Sequence, residues 1–264
     1  MSKSYVKAKQ LAVQGVGDQV SRGCDAVYIG TGNITDAYTK VEITQSAASP
    51  VLWLRSDTGA TVSGGIGIDH TWASREGAGR TATSVLANGI GISYTSVGDV
   101  TNNFHPYWNF TTSHFKVPDY SGLEFGTGGF EIWLIIRPDG GAYKSLVAKD
   151  HGNSKWQFHI RSDEKLGANA PGLDPTGTTV LTSDNTTWYA VGWGRDSSDD
   201  KFKVYVNSAT AEAESAENTN DLDSSDDLFI GGRLDQTNDY VGAIAEVVIF
   251  GETLASKSRE SLIH

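Results

Sequence analysis

Apolar and polar positions alternate along much of the chain, and helical periodicity is confined to the last stretch, ETLASKSRESLIH. In KFKVYVN, Phe202, Val204 and Val206 fall on one side and Lys203 and Tyr205 on the other. That period of two predicts a strand with one apolar and one wetter face. FEIWLIIRP, residues 130–138, is apolar on both sides, which predicts a central strand covered on both faces. Further strand-like runs fall at 51–55, 105–110, 114–118, 145–150, 155–161, 187–195, 201–207, 227–233 and 243–250. Many are bounded by Gly, Asp, Asn or Ser, as hairpin connections require. Repeated strands without intervening helices predict an all-β fold, an antiparallel jelly-roll β-sandwich. The polar, acidic stretch Asn207–Asp227 reads as a solvated excursion between strands.

Residues 1–45 differ in tone. Short β-forming runs, Ala26–Ile29 and Tyr38–Ile43, flank a Gly/Asn turn and predict a small N-terminal β appendage, preceded by an arm over Tyr5–Val13. The small-residue connector Gln45–Pro50 marks the boundary, so residues 46–264 form the main domain.

Composition narrows the function classes. The net charge of −11 would repel a phosphate backbone, which excludes nucleic acid as the expected partner. A single cysteine, Cys24, excludes an intramolecular disulfide, and thirty glycines suit many tight turns. No apolar run is long enough for a membrane-spanning helix. The opening MSKSYVKAKQ is not followed by an apolar stretch, so no secretory signal is expected and the chain reads as a product made in a cytoplasm.

From Phe130 onward the order of motifs resembles the laminin-G-like and pentraxin-like branch of the concanavalin A-type jelly rolls. FEIWLIIRPDGG is similar to the family's aromatic strand with its Arg-Pro-Asp-Gly exit, and SLVAKDHGNSKWQF to the next hairpin. TTWYAVGWGRD, KVYVNSA, LFIGGR and GAIAEVVIFGETLASKSRESL complete the series. Upstream, SPVLWLRSDTGATV and FHPYWNFTTSHFKVPD resemble the opening strands of such modules in bacterial adhesins, so the resemblance spans roughly residues 49–264. SRGCDAVYIGTGN, outside it, resembles short β segments of phage virion proteins.

The resemblance raises three candidate chemistries. Glu246 stands in the apolar strand AIAEVVIF, where related glucanases carry paired carboxylates. Retaining glycoside hydrolysis needs two carboxyls about 5–5.5 Å apart, and strand neighbours two apart are separated by about 6.6 Å. Ile244 and Val248 occupy those positions, and Gly242 and Phe250 the next, so this strand predicts no hydrolase. No HExxH, GxSxG or P-loop is present, and His70, His105, His114, His151 and His159 are scattered. Calcium at a loop rim is implied by the family, with Asp150, Asn153, Asp235, Asn238 and Asp239 as ligands and Asp196, Asp199 and Asp200 as a further cluster. The same residue types dominate ordinary turns. Sugar stacking would use Trp72, Tyr143, Trp156 or Tyr240, beside Gly- or Asp-rich turns, whereas Trp133, Trp188 and Trp193 sit in strands and read as core.

The resulting expectation is a non-enzymatic surface or assembly protein, a phage virion component displaying a lectin-like jelly roll that attaches to glycans. Its N-terminal segment would dock on other virion proteins or on further copies of the chain, at the virion surface. The alternative is an extracellular carbohydrate-binding module of a secreted adhesin, and a glycan-active hydrolase or lyase comes last.

Overall fold

The computed structural model of the chain describes residues 49–62, 70–76, 80–85, 91–97, 105–140, 143–149, 156–171, 175–233 and 238–263. The expected N-terminal appendage, residues 1–45, lies outside the described residues. The strands are, in chain order, β1 (Leu52–Arg55), β2 (Ala60–Thr61), β3 (Thr71–Ala73), β4 (Thr81–Val85), β5 (Ser93–Thr95) and β6 (Tyr107–Phe110). There follow β7 (His114–Val117), β8 (Phe130–Pro138), β9 (Lys144–Lys149), β10 (Trp156–Ile160), β11 (Lys165–Asn169) and β12 (Thr176–Val180). The series closes with β13 (Tyr189–Asp196), β14 (Lys201–Val206), β15 (Ala213–Glu217), β16 (Leu228–Ile230), β17 (Gly242–Phe250) and the α-helix α1 (Ser256–Ile263).

They form two antiparallel sheets packed face to face. The eight-stranded sheet runs β15-β14-β13-β8-β17-β6-β5, with β1 also on β17, and the nine-stranded sheet runs β12-β11-β10-β9-β16-β7-β4-β3-β2. β8 lies between β13 and β17 and all nine of its residues are buried, as its two-sided apolar pattern requires. Between the sheets lies an aromatic-rich core that includes Trp108, Phe115, Phe130, Trp156, Trp193 and Phe202.

Every strand-like run read from the sequence between residues 51 and 250 is a strand, whereas the runs Ala26–Ile29 and Tyr38–Ile43 lie outside the described residues. The short or polar strands β2–β5, β11, β12 and β15 are additional. β15 falls inside Asn207–Asp227, and Leu222 from the same stretch is fully buried, so that excursion is an edge strand with a core anchor rather than a solvated loop. Its carboxylate Glu212 accepts hydrogen bonds from the Thr178 and Thr179 backbone N–H groups of β12, both 3.1 Å, which ties the two sheets together along one side.

The outer face of the eight-stranded sheet is also apolar. Trp53, Tyr107, Trp133, Ile135, Tyr205, Val248 and Phe250 form a second cluster there, with Leu254 and Leu262 from the α1 segment. Tyr205, expected on a wetter face, is therefore buried. Gly192 makes this possible, because a Cβ there would lie 2.8 Å from the Trp133 indole, whose ring centroid is 5.1 Å from that of Tyr205. The helix is held by a buried ion pair, with Arg259 Nε and Nη2 at 2.9 and 2.6 Å from Glu131 Oε1.

Candidate functional site

Glu246 owes its position to a β-bulge. Ile244 faces Ile136 and points into the core, and a regular strand would send Glu246 the same way. The register against β8 instead shifts between Ile244 and Glu246, so Glu246 faces Ile135 and points to the outer side with Val248 and Phe250. The carbonyl of Ala245, the bulged residue, accepts hydrogen bonds from Ser56 N at 3.1 Å and Ser56 Oγ at 2.8 Å. Glu246 is 1% exposed. Its Oε1 accepts from the Trp53 indole N–H and lies 4.0 Å from Arg55 Nε, while Oε2 meets no hydrogen-bond partner among the described residues. Burial pushes its carboxyl up to about 7, against the pull of Arg55 and the Trp53 N–H. The space beside it is about 10 Å³, lined by Trp133, Ile135, Ala190, Val248 and Leu262. That is room for a water and not for a sugar. The lone acid of this strand is a structural group under α1.

The oxygen-rich turns have resident cations. Lys203 Nζ sits 2.7 Å from Asp196 and 2.9 Å from Asp199, which removes that cluster as a calcium candidate. Burial works against ionisation of Asp196, yet hydrogen bonds from Lys203 and Ser198 hold it down at about 2. Lys149, fully buried, is 2.7 Å from Asp119, pairs with Glu124 and donates to the Leu123 carbonyl at 3.3 Å. Among the described residues no three His, Cys, Asp or Glu converge on a common point. Asp150, Asn153, Asp235 and His151 lie outside the described residues. Asn238, in a left-handed conformation at φ 55°, turns its carbonyl to Ser145 N at 2.8 Å, and Asp239 Oδ1 lies 3.4 Å from His114 Nδ1.

Three of the four aromatic candidates are packing residues. Trp72, Trp156 and Tyr240 are fully buried. Trp72 lies against Trp108 and Phe115, Trp156 against Phe125 and Trp193, and Tyr240 against Phe110. None offers a ring face to a sugar, because each side chain is turned into the core between the sheets. Of the seven tryptophans only Trp188 reaches solvent, half-buried beside Tyr107 and Arg137.

Tyr143 is different. It is half-buried at the start of β9, on the outer face of the nine-stranded sheet. Its ring stacks on His159, centroids 4.3 Å apart and planes at 25°, and its hydroxyl donates to Gln157 Oε1 at 3.2 Å. Gln157 and His159 share this face because WQFHI alternates, with Trp156, Phe158 and Ile160 turned inward. Among the described residues, Gln157 Nε2 and both His159 ring nitrogens are buried without a hydrogen-bond partner. Burial, reinforced by the positive charges of Arg161 and Arg233, pushes His159 down to about 4. Gly167, opposite His159, leaves the space this needs, since a Cβ there would lie 2.7 Å from His159 Nε2. Ser145 joins this corner to Asn238 and, through its Oγ to the Gly232 carbonyl at 2.9 Å, to the Asp239 turn. The structure thus brings together Tyr143, Asn238 and Asp239 from the sequence candidates. Gln157 and His159 were legible only as the polar phase of WQFHIR.

Residues 109–258 match the Laminin_G_3 family model, described as the concanavalin A-like lectin/glucanases superfamily. The chain belongs to this superfamily. Among solved structures, domain 4 of the extracellular arabinanase AbnA from Geobacillus stearothermophilus, in complex with arabinotriose, matches with a TM-score of 0.61 and 15% identity. That match covers 83% of this chain and all of the arabinanase domain. The binding domain of botulinum neurotoxin serotype G matches with a TM-score of 0.57 and 14% identity, over 81% of this chain and 50% of that one. Trypanosoma rangeli sialidase in complex with sialic acid matches at 0.52 and 14%, over 85% of this chain and 36% of that one. The superfamily member described here therefore spans half or less of the neurotoxin and sialidase chains it matches. No curated protein matches the sequence. At these identities the neighbours establish the shared jelly-roll fold.

Proposed function

We propose that this lectin-like domain binds carbohydrate at the Tyr143–Gln157–His159 corner and performs no chemistry on it. One observation carries the reading: a half-buried tyrosine ring covers an amide nitrogen and an imidazole that have no hydrogen-bond partner among the described residues. An aromatic ring beside unsatisfied amide and imidazole groups is the combination that meets both the apolar face and the hydroxyls of a sugar. Leaving buried polar atoms unpaired costs stability, which a ligand's oxygens would recover. The glycan-bound state of the AbnA domain supports the reading at the level of fold. The non-catalytic part rests on Glu246, which is sealed beneath α1 with no carboxylate two or four residues away on its strand.

The biological setting we propose is a virion or comparable assembly surface, with residues 1–45 docking on a partner and the jelly roll turned outward. The acidic, disulfide-free composition and the strand-like tone of those residues support it. An adhesin module would be monomeric, whereas a decoration or fibre protein would form a symmetric oligomer, so light scattering on the full chain separates the two.

A glycan array probed with the full chain, in calcium and again with a chelator, tests the binding. Retained glycans are expected, with Tyr143→Ala lowering affinity about tenfold or more, since stacking contacts carry roughly 1.4 kcal/mol or more. Silence in both conditions from folded protein would overturn the reading. Loss on chelation would extend it to calcium at Asp150, Asn153, Asp235, Asn238 and Asp239.

A further inference from the structure

We infer that the sugar residue seated at this corner is uncharged and meets the protein through adjacent groups, one accepting and one donating a hydrogen bond, as neighbouring hydroxyls do. The inference rests on the carbohydrate-binding reading above and adds the chemical class of the ligand.

The polar floor of the corner is made by two side chains, Gln157 at 5% and His159 at 1% exposure. The Gln157 amide has its acceptor engaged, because Tyr143 donates to Oε1, and its Nε2 donor is left over. An imidazolium would need two acceptors, and among the described residues neither His159 nitrogen has one. The ring is therefore neutral, with one N–H and one lone pair, both unmatched. Its titration agrees, because a group pushed down to about 4 leaves only about one ring in a thousand charged near neutral pH. Gln157 and His159 thus ask for an acceptor and a donor together. Hydroxyls supply both, whereas a carboxylate or sulfate only accepts and would turn its oxygens on the imidazole lone pair. An ammonium group fails the other way, since it only donates.

The scale fits one sugar residue. Gln157 and His159 are two apart on one face of β10, a separation of about 6.6 Å along a strand. Both lie under a single phenol, whose ring centroid is 4.3 Å from that of His159 and whose hydroxyl is 3.2 Å from Gln157 Oε1. The corner has no need of an anion for balance. Arg161, which runs beside His159 over Gly167, is paired with Asp163 at 3.4 Å, and Arg233 is not free either. Tyr143 is the half-buried cover, and its ring has to turn from His159 for a ligand to reach the floor.

The test is titration calorimetry on the full chain in about 500 mM NaCl, which screens the net charge of −11. The probes are neutral arabinan, galactan and glucan oligosaccharides and the neutral glycans retained on the array, each beside its singly sulfated and uronic acid analogues. A neutral parent is expected to bind, and sulfation at either of two neighbouring hydroxyls to weaken it at least about tenfold. His159→Phe and Gln157→Leu keep the packing and remove the polar groups. Each should lower affinity for the neutral parent at least about tenfold while the thermal midpoint does not fall. In the unaltered protein, nitrogen NMR should show one protonated and one bare His159 nitrogen near neutral pH, and the bare one should move when the neutral parent binds. A charged analogue that binds tighter than its parent, indifference to sulfation at every position, unchanged affinity in either variant, or a bare nitrogen that is missing or does not move overturns the inference and leaves carbohydrate binding standing. Unchanged affinity in both variants overturns this corner as the site as well. Silence of every probe and of the array, from folded protein, overturns both readings.

Discussion

At the scale of single residues, the sign of a buried charge decides how the protein responds to pH. The Glu246 carboxyl titrates at about 7 in the fold against an ordinary 4.5. The folded state holds that proton more tightly, so the group's contribution is full below pH 4.5 and is lost as pH rises through 7. The difference amounts to about 3 kcal/mol. Glu246→Gln keeps an acceptor for Trp53 without the charge. The variant should match the parent near pH 4.5 and exceed it by about 3 kcal/mol near pH 8, read by urea denaturation. Equal stability at about pH 8 would mean that the ionised carboxylate is solvated after all. His159 works the other way, with about 4 in the fold against 6.5, so its contribution is present above 6.5 and lost as pH falls through 4. Because the two oppose each other between pH 4.5 and 6.5, only the difference between variant and parent isolates Glu246.

At the scale of elements, short polar features decide what the long strands bury. The bulge at Ala245 reverses the facing of the second half of β17, and α1 covers part of the resulting apolar outer face. Glu131 is the anchor, accepting from Arg259, from Leu254 N at 2.9 Å and from the Trp133 indole at 2.9 Å. Arg259→Ala leaves that carboxylate buried without its counter-charge. A loss of about 3 kcal/mol is expected, together with faster hydrogen exchange across α1. Unchanged exchange in α1 would show that Leu254 and Leu262 hold the helix without the ion pair. The long strands β8, β14 and β17 were legible in the sequence, β14 because its apolar positions recur every second residue and β8 and β17 because their apolar runs are nearly unbroken. β11, β12 and β15 were not, because LGAN, TGTTV and AESAE carry little apolar signal and owe their pairing to neighbouring strands.

At the scale of the whole molecule, buried cations close one end of the sandwich. Arg195 is fully buried and donates to the carbonyls of Gly128, Asn220 and Gly126 at 2.8, 2.7 and 2.6 Å. It thereby joins the turn before β8 to the segment after β15. Three carbonyls would lose their donor in Arg195→Met, each at about 1 kcal/mol or more, so a fall of about 3 kcal/mol in unfolding free energy is expected. A fall below about 1 kcal/mol would show that water replaces the guanidinium. Lys149 closes the neighbouring corner with Asp119 and Glu124 in the same manner.

The sequence by itself determined the all-β class, the central strand and the order of the main strands, because a two-residue period is a local property that survives without knowledge of partners. It also showed that Glu246 has no acidic neighbour on its own strand. Only the tertiary structure decided which face each side chain meets. Trp72, Trp156 and Tyr240 lie beside turn residues in the chain yet point inward, and one bulged residue reverses the facing of Glu246. Tyr143, Gln157, His159 and Gly167 come from three strands brought side by side, and no local pattern records such a meeting. Burial and facing are set by register and packing between distant segments, and the candidate site exists only at that level.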